Sequence, residues 1–297
     1  MVNTTRTVKR PASATGAKWV NPMENPDKAN AEIAAALASI NEASMPVISL
    51  PPDDTVKLPG GLVKDNELIK TVTVKELTGE DEESLARASQ STNAFTFIDR
   101  LIKCGVVRVG TESTSEKDKL LGQLLVGDRE AIILGIRKAT YGDKIEVPDW
   151  ICLNCGNKSS LTMDVEDIPV TTMSDPANES TFKVSLRKGG YALARLANGI
   201  DQLATFEKPE LTQAQRETVL LSRCIISLTN AAGVETSMAG FPSMAVSMSM
   251  PDRHAVLNEL RDRQPGPKYD QIEYTCESCN KEVKVAVTLG HLFLDLA

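Results

Sequence analysis

Two Cys-x-x-Cys pairs, Cys152/Cys155 and Cys276/Cys279, stand 124 residues apart in similar surroundings. Shifting the chain by that offset lays residues 128–155 over 252–279 without a gap. Eight positions are then identical: Asp128/Asp252, Arg129/Arg253, Ala131/Ala255, Arg137/Arg261, Gly142/Gly266, Lys144/Lys268, Cys152/Cys276 and Cys155/Cys279. Trp150 falls on Tyr274, and Ile132, Ile133 and Ile136 fall on Val256, Leu257 and Leu260. With small shifts the likeness reaches upstream, Arg100 lying near Arg223 and Val74–Leu77 near Leu193–Leu196. Self-similarity at a fixed offset marks a repeated structural unit. The expected fold is therefore α+β, with two tandem pseudo-symmetric repeats at 51–172 and 173–297. Each is expected to end in a Cys-x-x-Cys β-hairpin knuckle, and residues 1–50 to form an extended N-terminal arm with a short helix.

The cysteine spacing carries the chemistry. A two-residue spacer lets both sulfurs of a pair point into one concavity. Gly156 and Asn280 follow the second cysteine, where a left-handed backbone suits Gly and is tolerated by Asn. One knuckle supplies two ligands, and structural Zn²⁺ takes four in a tetrahedron. If the halves are related by an approximate two-fold axis, Cys152, Cys155, Cys276 and Cys279 can meet on it and hold one structural zinc. A closed set of four thiolates leaves no position for a reactive water, so catalysis is not implied. Redox pairs and disulfides are the competing readings. No thioredoxin-like βαβ context surrounds either pair. Cys104 and Cys224 lie in apolar stretches and read as buried free thiols.

Along the rest of the chain, residues 1–26 are rich in Thr, Pro, Asn, Ala and Lys, and a helix is predicted over 27–42 with Ile33, Leu37 and Ile40 on one stripe. Pro51-Pro52 and Pro59-Gly60-Gly61 punctuate the entry to the body. Thr71–Lys75 and Val283–Val287 alternate as strands do. Thr78 with Asp81, and Thr212 with Gln215, are capping boxes. They open helices predicted over 79–91 and from Thr212 to about residue 229. Further helices are predicted over Asp128–Lys138 and Pro251–Arg261, and Phe97–Val106 reads as another helix or a helix–strand junction. Residues 111–119 read as a polar loop, and 182–196 as strands interrupted by Lys188-Gly189-Gly190.

Several functions are disfavoured. A net charge of −7 and 4% aromatic residues argue against nucleic-acid binding, which needs basic surface and stacking rings. No apolar run approaches the roughly 18 residues of a membrane span, and no signal peptide is expected. His254 and His291 have no nucleophile at motif spacing, and His291 is the only histidine kept as a possible metal ligand. Glycine pairs at 60–61 and 189–190 form neither a Walker loop nor a dinucleotide fingerprint. Glu80–Glu83 suits the first turn of a helix.

An ordered set of segments then carries a resemblance: Leu58–Gly61, "LTGEDEESL" from Leu77, "FIDRLIKCGV" from Phe97, "LLVGDREAIILGIRKATYG" from Leu124, and Cys152–Cys155. The run Ser249–Leu294 repeats it. Together, over 55–297, they resemble the baseplate hub and tail-assembly proteins of contractile-tailed, T4-type bacteriophages. The resemblance implies a non-enzymatic virion component of baseplate or tail, assembled in the host cytoplasm. Its partners would be other phage baseplate and tail proteins, in multiple copies. It offers no catalytic residue to carry over. It transfers metal binding to the four cysteines, and an intra-repeat bracing role to the Asp-Arg pairs. A transient assembly chaperone is the alternative within this family. A zinc-ribbon adaptor for nucleic acid or a transcription complex is the alternative outside it.

Overall fold

Val72 and Val74 alternate with Thr71 and Thr73, and this pattern builds the middle strand of an antiparallel sheet of order β1-β2-β3. The three strands are β1 (Asp54–Lys64), β2 (Glu67–Val74) and β3 (Val106–Val109). In this computed structural model the described residues are 54–90, 93–111, 116–238 and 243–293, together with Asp27, Asn30 and Ala31. The chain divides into two units, Met1–Leu50 and Pro51–Ala297. In the first, Asp27, Asn30 and Ala31 are helical and exposed. The rest of the predicted 27–42 helix, and the arm before it, lie outside the described residues.

Strand β1 runs straight through Pro59-Gly60-Gly61, which the sequence marks only as punctuation. Its register with β2 slips between Lys57 and Leu62, and Gly61 takes φ of +75°. As an outer strand it tolerates a proline, because the missing N–H removes no ladder bond. Helices α1 (Gly79–Ser89), α2 (Ala94–Gly105), α3 (Lys117–Gln123) and α4 (Val126–Tyr141) follow. The Thr78/Asp81 capping box opens α1. Helix α3 occupies part of the predicted polar loop and buries Leu120 and Leu121. Helix α4 lies against β1 so closely that a side chain on Gly135 would come within 2.2 Å of Val56.

A hairpin of β4 (Lys144–Ile151) and β5 (Lys158–Asp164) comes next. After β6 (Val170–Thr171) and α5 (Pro176–Glu179), a second sheet has the order β10-β9-β8-β7. Its strands are β7 (Thr181–Ser185), β8 (Tyr191–Arg195), β9 (Ile225–Thr229) and β10 (Glu235–Ser237). Between β8 and β9 lie α6 (Gly199–Phe206) and α7 (Gln213–Cys224). The helix predicted from Thr212 to about 229 thus ends at Cys224. Ile225 and Ile226 are β-branched, and from Ile225 the chain pairs with β8 instead. Then follow α8 (Met244–Ser247), α9 (Met250–Asp262), β11 (Gly266–Pro267), the hairpin β12 (Ile272–Thr275) with β13 (Glu282–Val285), and α10 (Leu289–Leu292).

Two apolar cores result. The first surrounds Leu101, Leu121, Ile132 and Ile136, and takes in Ile272, Val285 and Phe293 from the far end of the chain. The second joins Phe182, Ala192, Leu221 and Val256. β11 pairs with β6, and Gly266 meets Gly127 of α4 backbone to backbone.

The two Asp-Arg steps brace this framework. Asp128 Oδ1 accepts from the N–H groups of Gly60 (2.6 Å) and Gly61 (3.3 Å) in the β1 bulge. Arg129 donates to the Leu121 carbonyl at 3.0 Å and pairs with Asp99. Asp252 accepts from Arg187 N–H in the β7–β8 turn at 2.7 Å, and Arg253 donates to the Ala245 carbonyl at 2.7 Å. Asp201 is buried between Arg195 and Arg223. Burial pushes its pKa upward, but hydrogen bonds from Arg195 and the Asn198 N–H outweigh it and hold the carboxyl below its usual range.

Candidate metal centre

Cys152–Cys155 occupy the connection between β4 and β5, and Cys276–Cys279 that between β12 and β13. Both connections close in the same way. Cys152 N–H donates to Asn157 O at 2.9 Å and Gly156 N–H to Cys152 O at 2.8 Å. In the other, Cys276 N–H donates to Lys281 O at 3.0 Å and Asn280 N–H to Cys276 O at 2.8 Å. Gly156 has φ of +71° and Asn280 φ of +52°, so the residue after the second cysteine is left-handed in each. That turn aims both sulfurs of a pair inward.

The four sulfurs converge. The Sγ atoms of Cys152, Cys155, Cys276 and Cys279 all lie within 4.8 Å of one another. Across the two hairpins, Cys152 stands 3.9 Å from Cys279 and Cys155 3.8 Å from Cys276. A tetrahedron of thiolates about 2.3 Å from a central zinc has sulfur–sulfur edges of about 3.8 Å. The donor set therefore fits an ion of that size and softness. Cys152 and Cys276 are buried, whereas Cys155 is exposed. All six cysteines are free thiols.

Hydrogen bonds tune the sulfurs unequally. The Lys281 N–H and the Asn154 amide hold Cys279 down to about 6. The Cys155 N–H leads the groups lowering Cys152. Cys155 receives the Asn157 N–H, which lowers it, yet the crowding of its neighbouring sulfurs pushes it up to about 11. Four sulfurs this close cannot all ionise without a cation, because like charges oppose one another. A metal cation held among them would supply that missing charge.

Further contacts tie the hairpins together. Asn154 Nδ2 donates to Cys279 Sγ at 3.4 Å, and Lys281 Nζ to Asn154 Oδ1 at 3.2 Å. Trp150 and Tyr274, the residues superposed by the 124-residue shift, meet edge to face at 5.4 Å. Nothing in the repeat pattern marks Asn154 as a cross-hairpin donor, since Ser278 stands at the shifted position. His291 takes no part: its Nδ1 accepts from Thr288 N–H at 3.1 Å, capping a turn. His254 is exposed. Cys224 is buried, and burial raises its thiol to about 12. Cys104, expected to be buried, is partly exposed. It sits at the end of α2, where the chain turns into β3.

A family described as T4 bacteriophage base plate protein matches residues 55–243, well over half of the chain. The chain belongs to that base plate family. Membership implies a place in the phage virion and association with other tail proteins. The match includes the first cysteine pair and ends before the second. No curated protein and no solved structure gives a significant match. Among the described residues no helix is long and apolar enough to cross a membrane.

Proposed function

We propose that this base plate protein is a non-enzymatic structural component of the baseplate or tail hub. In this reading residues 51–172 and 173–297 are tandem pseudo-symmetric repeats, each ending in a cysteine knuckle. One structural zinc, held by Cys152, Cys155, Cys276 and Cys279, stitches them together. Residues 1–50 join the chain to its neighbours in an assembly of multiple copies. The observation that carries the reading is the convergence of four sulfurs contributed by two hairpins so far apart in sequence. Bound metal would supply charge neutralisation and a covalent-strength clamp between the ribbons.

Recurring detail supports the duplication. Arg129 and Arg253 each reach the carbonyl eight residues upstream. Asp128 and Asp252 each accept backbone N–H groups from the first hairpin of their half. From β1 and from β7 alike the order is strand, strand, helix, helix, strand, followed by a short helix (preceded in the second half by β10) and then the Asp-Arg helix and the cysteine hairpin. The topological partner of the Thr78/Asp81 box is the Asn198/Asp201 box of α6, not Thr212/Gln215.

Two measurements test the proposal together. Purified chain should carry about one zinc, and a thiol reagent should reach four more cysteines once a chelator is added. Gradient-purified phage should contain the chain. Metal-free protein whose four cysteines react at once would remove the zinc stitch. Presence in infected cells but not in particles would favour the transient assembly chaperone.

A further inference from the structure

Strand β1 borders its sheet: in the order β1-β2-β3 its far side has no neighbouring strand among the described residues. Two observations show which main-chain groups face outward. Thr71 accepts at its carbonyl from Gly110 N–H at 2.9 Å, on the β3 side. Its cross-strand partner Lys57 therefore turns N–H and C=O away from β2, by the alternation of an antiparallel pair. Pro59, two residues on, accepts from Met173 N–H at 2.8 Å, and so points the same way. Thr55, opposite Thr73, follows the same parity. The outward N–H and C=O groups of Thr55 and Lys57 have no hydrogen-bond partner among the described residues.

Beside this edge lies a cleft of about 680 Å³ between β1, α4 and the segment 165–173. Val56, Leu58, Leu134, Val165 and Met173 make its walls apolar. The polar side chains around it are threonines and the amines of Lys57, Lys70 and Lys138. Lys138 is already paired with Asp143 and Glu166. Lys57 and Lys70 are exposed and make no ion pair among the described residues. Proteins normally blunt or cover such an edge, and an uncovered one above an apolar trough is the receiving half of strand addition. Met173 already places one such ladder bond on Pro59, at the end of the free stretch.

We infer that Thr55–Lys57 and the adjoining cleft receive an extended segment of another protein of the assembly, added as a strand beside β1. Its inward side chains are apolar at every second residue, and its flanks are acidic. A second copy pairing β1 to β1 is disfavoured, because it brings Lys57 and Lys70 of both copies together. The inference specifies a partner surface for the structural role above, but peptide binding is read independently of zinc content and of recovery in particles.

The test uses the full chain and a labelled peptide, Asp-Val-Thr-Val-Thr-Val-Asp, followed by fluorescence anisotropy. Saturable binding is expected. Backbone N-methylation on alternate residues, in one of the two possible sets, should weaken it at least tenfold. Lys flanks on the peptide, or Lys57→Glu with Lys70→Glu in the chain, should do the same. Thr55→Pro, which deletes one outward N–H and spares the β2 ladder, should weaken it with an unchanged circular dichroism spectrum. No saturable binding, or equal binding of both methylated sets or of the Lys-flanked peptide, overturns the inference. Displacement of the probe by a tighter-binding peptide of residues 44–53 would make this protein's own segment, from the same or a second copy, the occupant, and would equally overturn it.

Discussion

Replacing Gly127 by alanine tests how the start of α4 and the segment 264–267 are locked together. A Cβ at Gly127 would sit 1.5 Å from the Pro265 carbonyl oxygen and 3.1 Å from Gly266 Cα. Reaching even the tightest tolerated contact of 3.0 Å demands a backbone shift of about 1.5 Å. Neither side can yield alone. Moving α4 withdraws the Val126 and Gly127 N–H groups from Gln264, whose amide oxygen, correctly oriented, accepts both at 2.8 and 3.0 Å. Moving residues 264–267 instead breaks the pairing of Gly266 with Thr171. Overpacking alone costs about 1–3 kcal/mol, and orphaning a buried donor or acceptor adds about 1–3 kcal/mol. Alanine returns less than about 1 kcal/mol of helix propensity. The expected loss is about 3 kcal/mol, read as a lower urea midpoint at unchanged slope. Gly79→Ala is the control: it opens α1 with nothing within 4 Å, and should leave the midpoint unchanged or slightly raised. A Gly127→Ala protein as stable as wild type to within 1 kcal/mol would show that the Gly127–Gly266 contact does not hold.

Two further outcomes follow from the site and its bracing. Cys276→Ser should lose the metal, and with it several kcal/mol of the binding energy that structural zinc contributes to folding; at about 2–4 °C per kcal/mol the melting temperature should fall by roughly 10 °C. The two-stranded ribbons 144–164 and 272–285 should be first to gain deuterium exchange, since isolated hairpins are marginal, and unchanged protection there would refute the clamp. Asp128 is buried with one carboxylate oxygen unpartnered, and burial raises its pKa from 3.8 to about 6 despite the Gly60 and Gly61 N–H groups. Because the folded state holds the proton more tightly, the contribution of Asp128 to stability is greatest below pH 3.8 and declines as pH rises towards about 6. Asp128→Asn should match wild type near pH 4 and exceed it near pH 7.5, by at most about 3 kcal/mol at 1.36 kcal/mol per pKa unit. An asparagine variant that is less stable at pH 7.5 would contradict this.

Local signals served the sequence reading best where the chain decides its own conformation. Thr78 with Asp81 and Thr212 with Gln215 close capping boxes within four residues, and both helices begin where those boxes require. Spacing within each cysteine pair likewise dictates a tight turn whatever surrounds it. The failures lie where distant residues decide. Pro59-Gly60-Gly61 looked like a break because nothing local shows that Asp128, 68 residues away, collects the bulge N–H group of Gly60. Ile225–Thr229 looked helical because its strand partner Tyr191–Ala194 lies on the far side of two helices. The short helix α6 escaped notice because its cap, Asn198, precedes a glycine and only one turn of apolar pattern. The 124-residue self-similarity pointed to both hairpins, but the side chain of Asn154 reaching across them has no counterpart in the other half.

The chain has two tryptophans. One of them, Trp150, rests on Tyr274 with ring planes at 76°. Parting the ribbons would carry this indole from an aromatic neighbour into water and redden its emission. Clasp and indicator are thus the same few residues, and an unlabelled sample can announce in a fluorimeter, during chelation or assembly, whether its buckle is fastened.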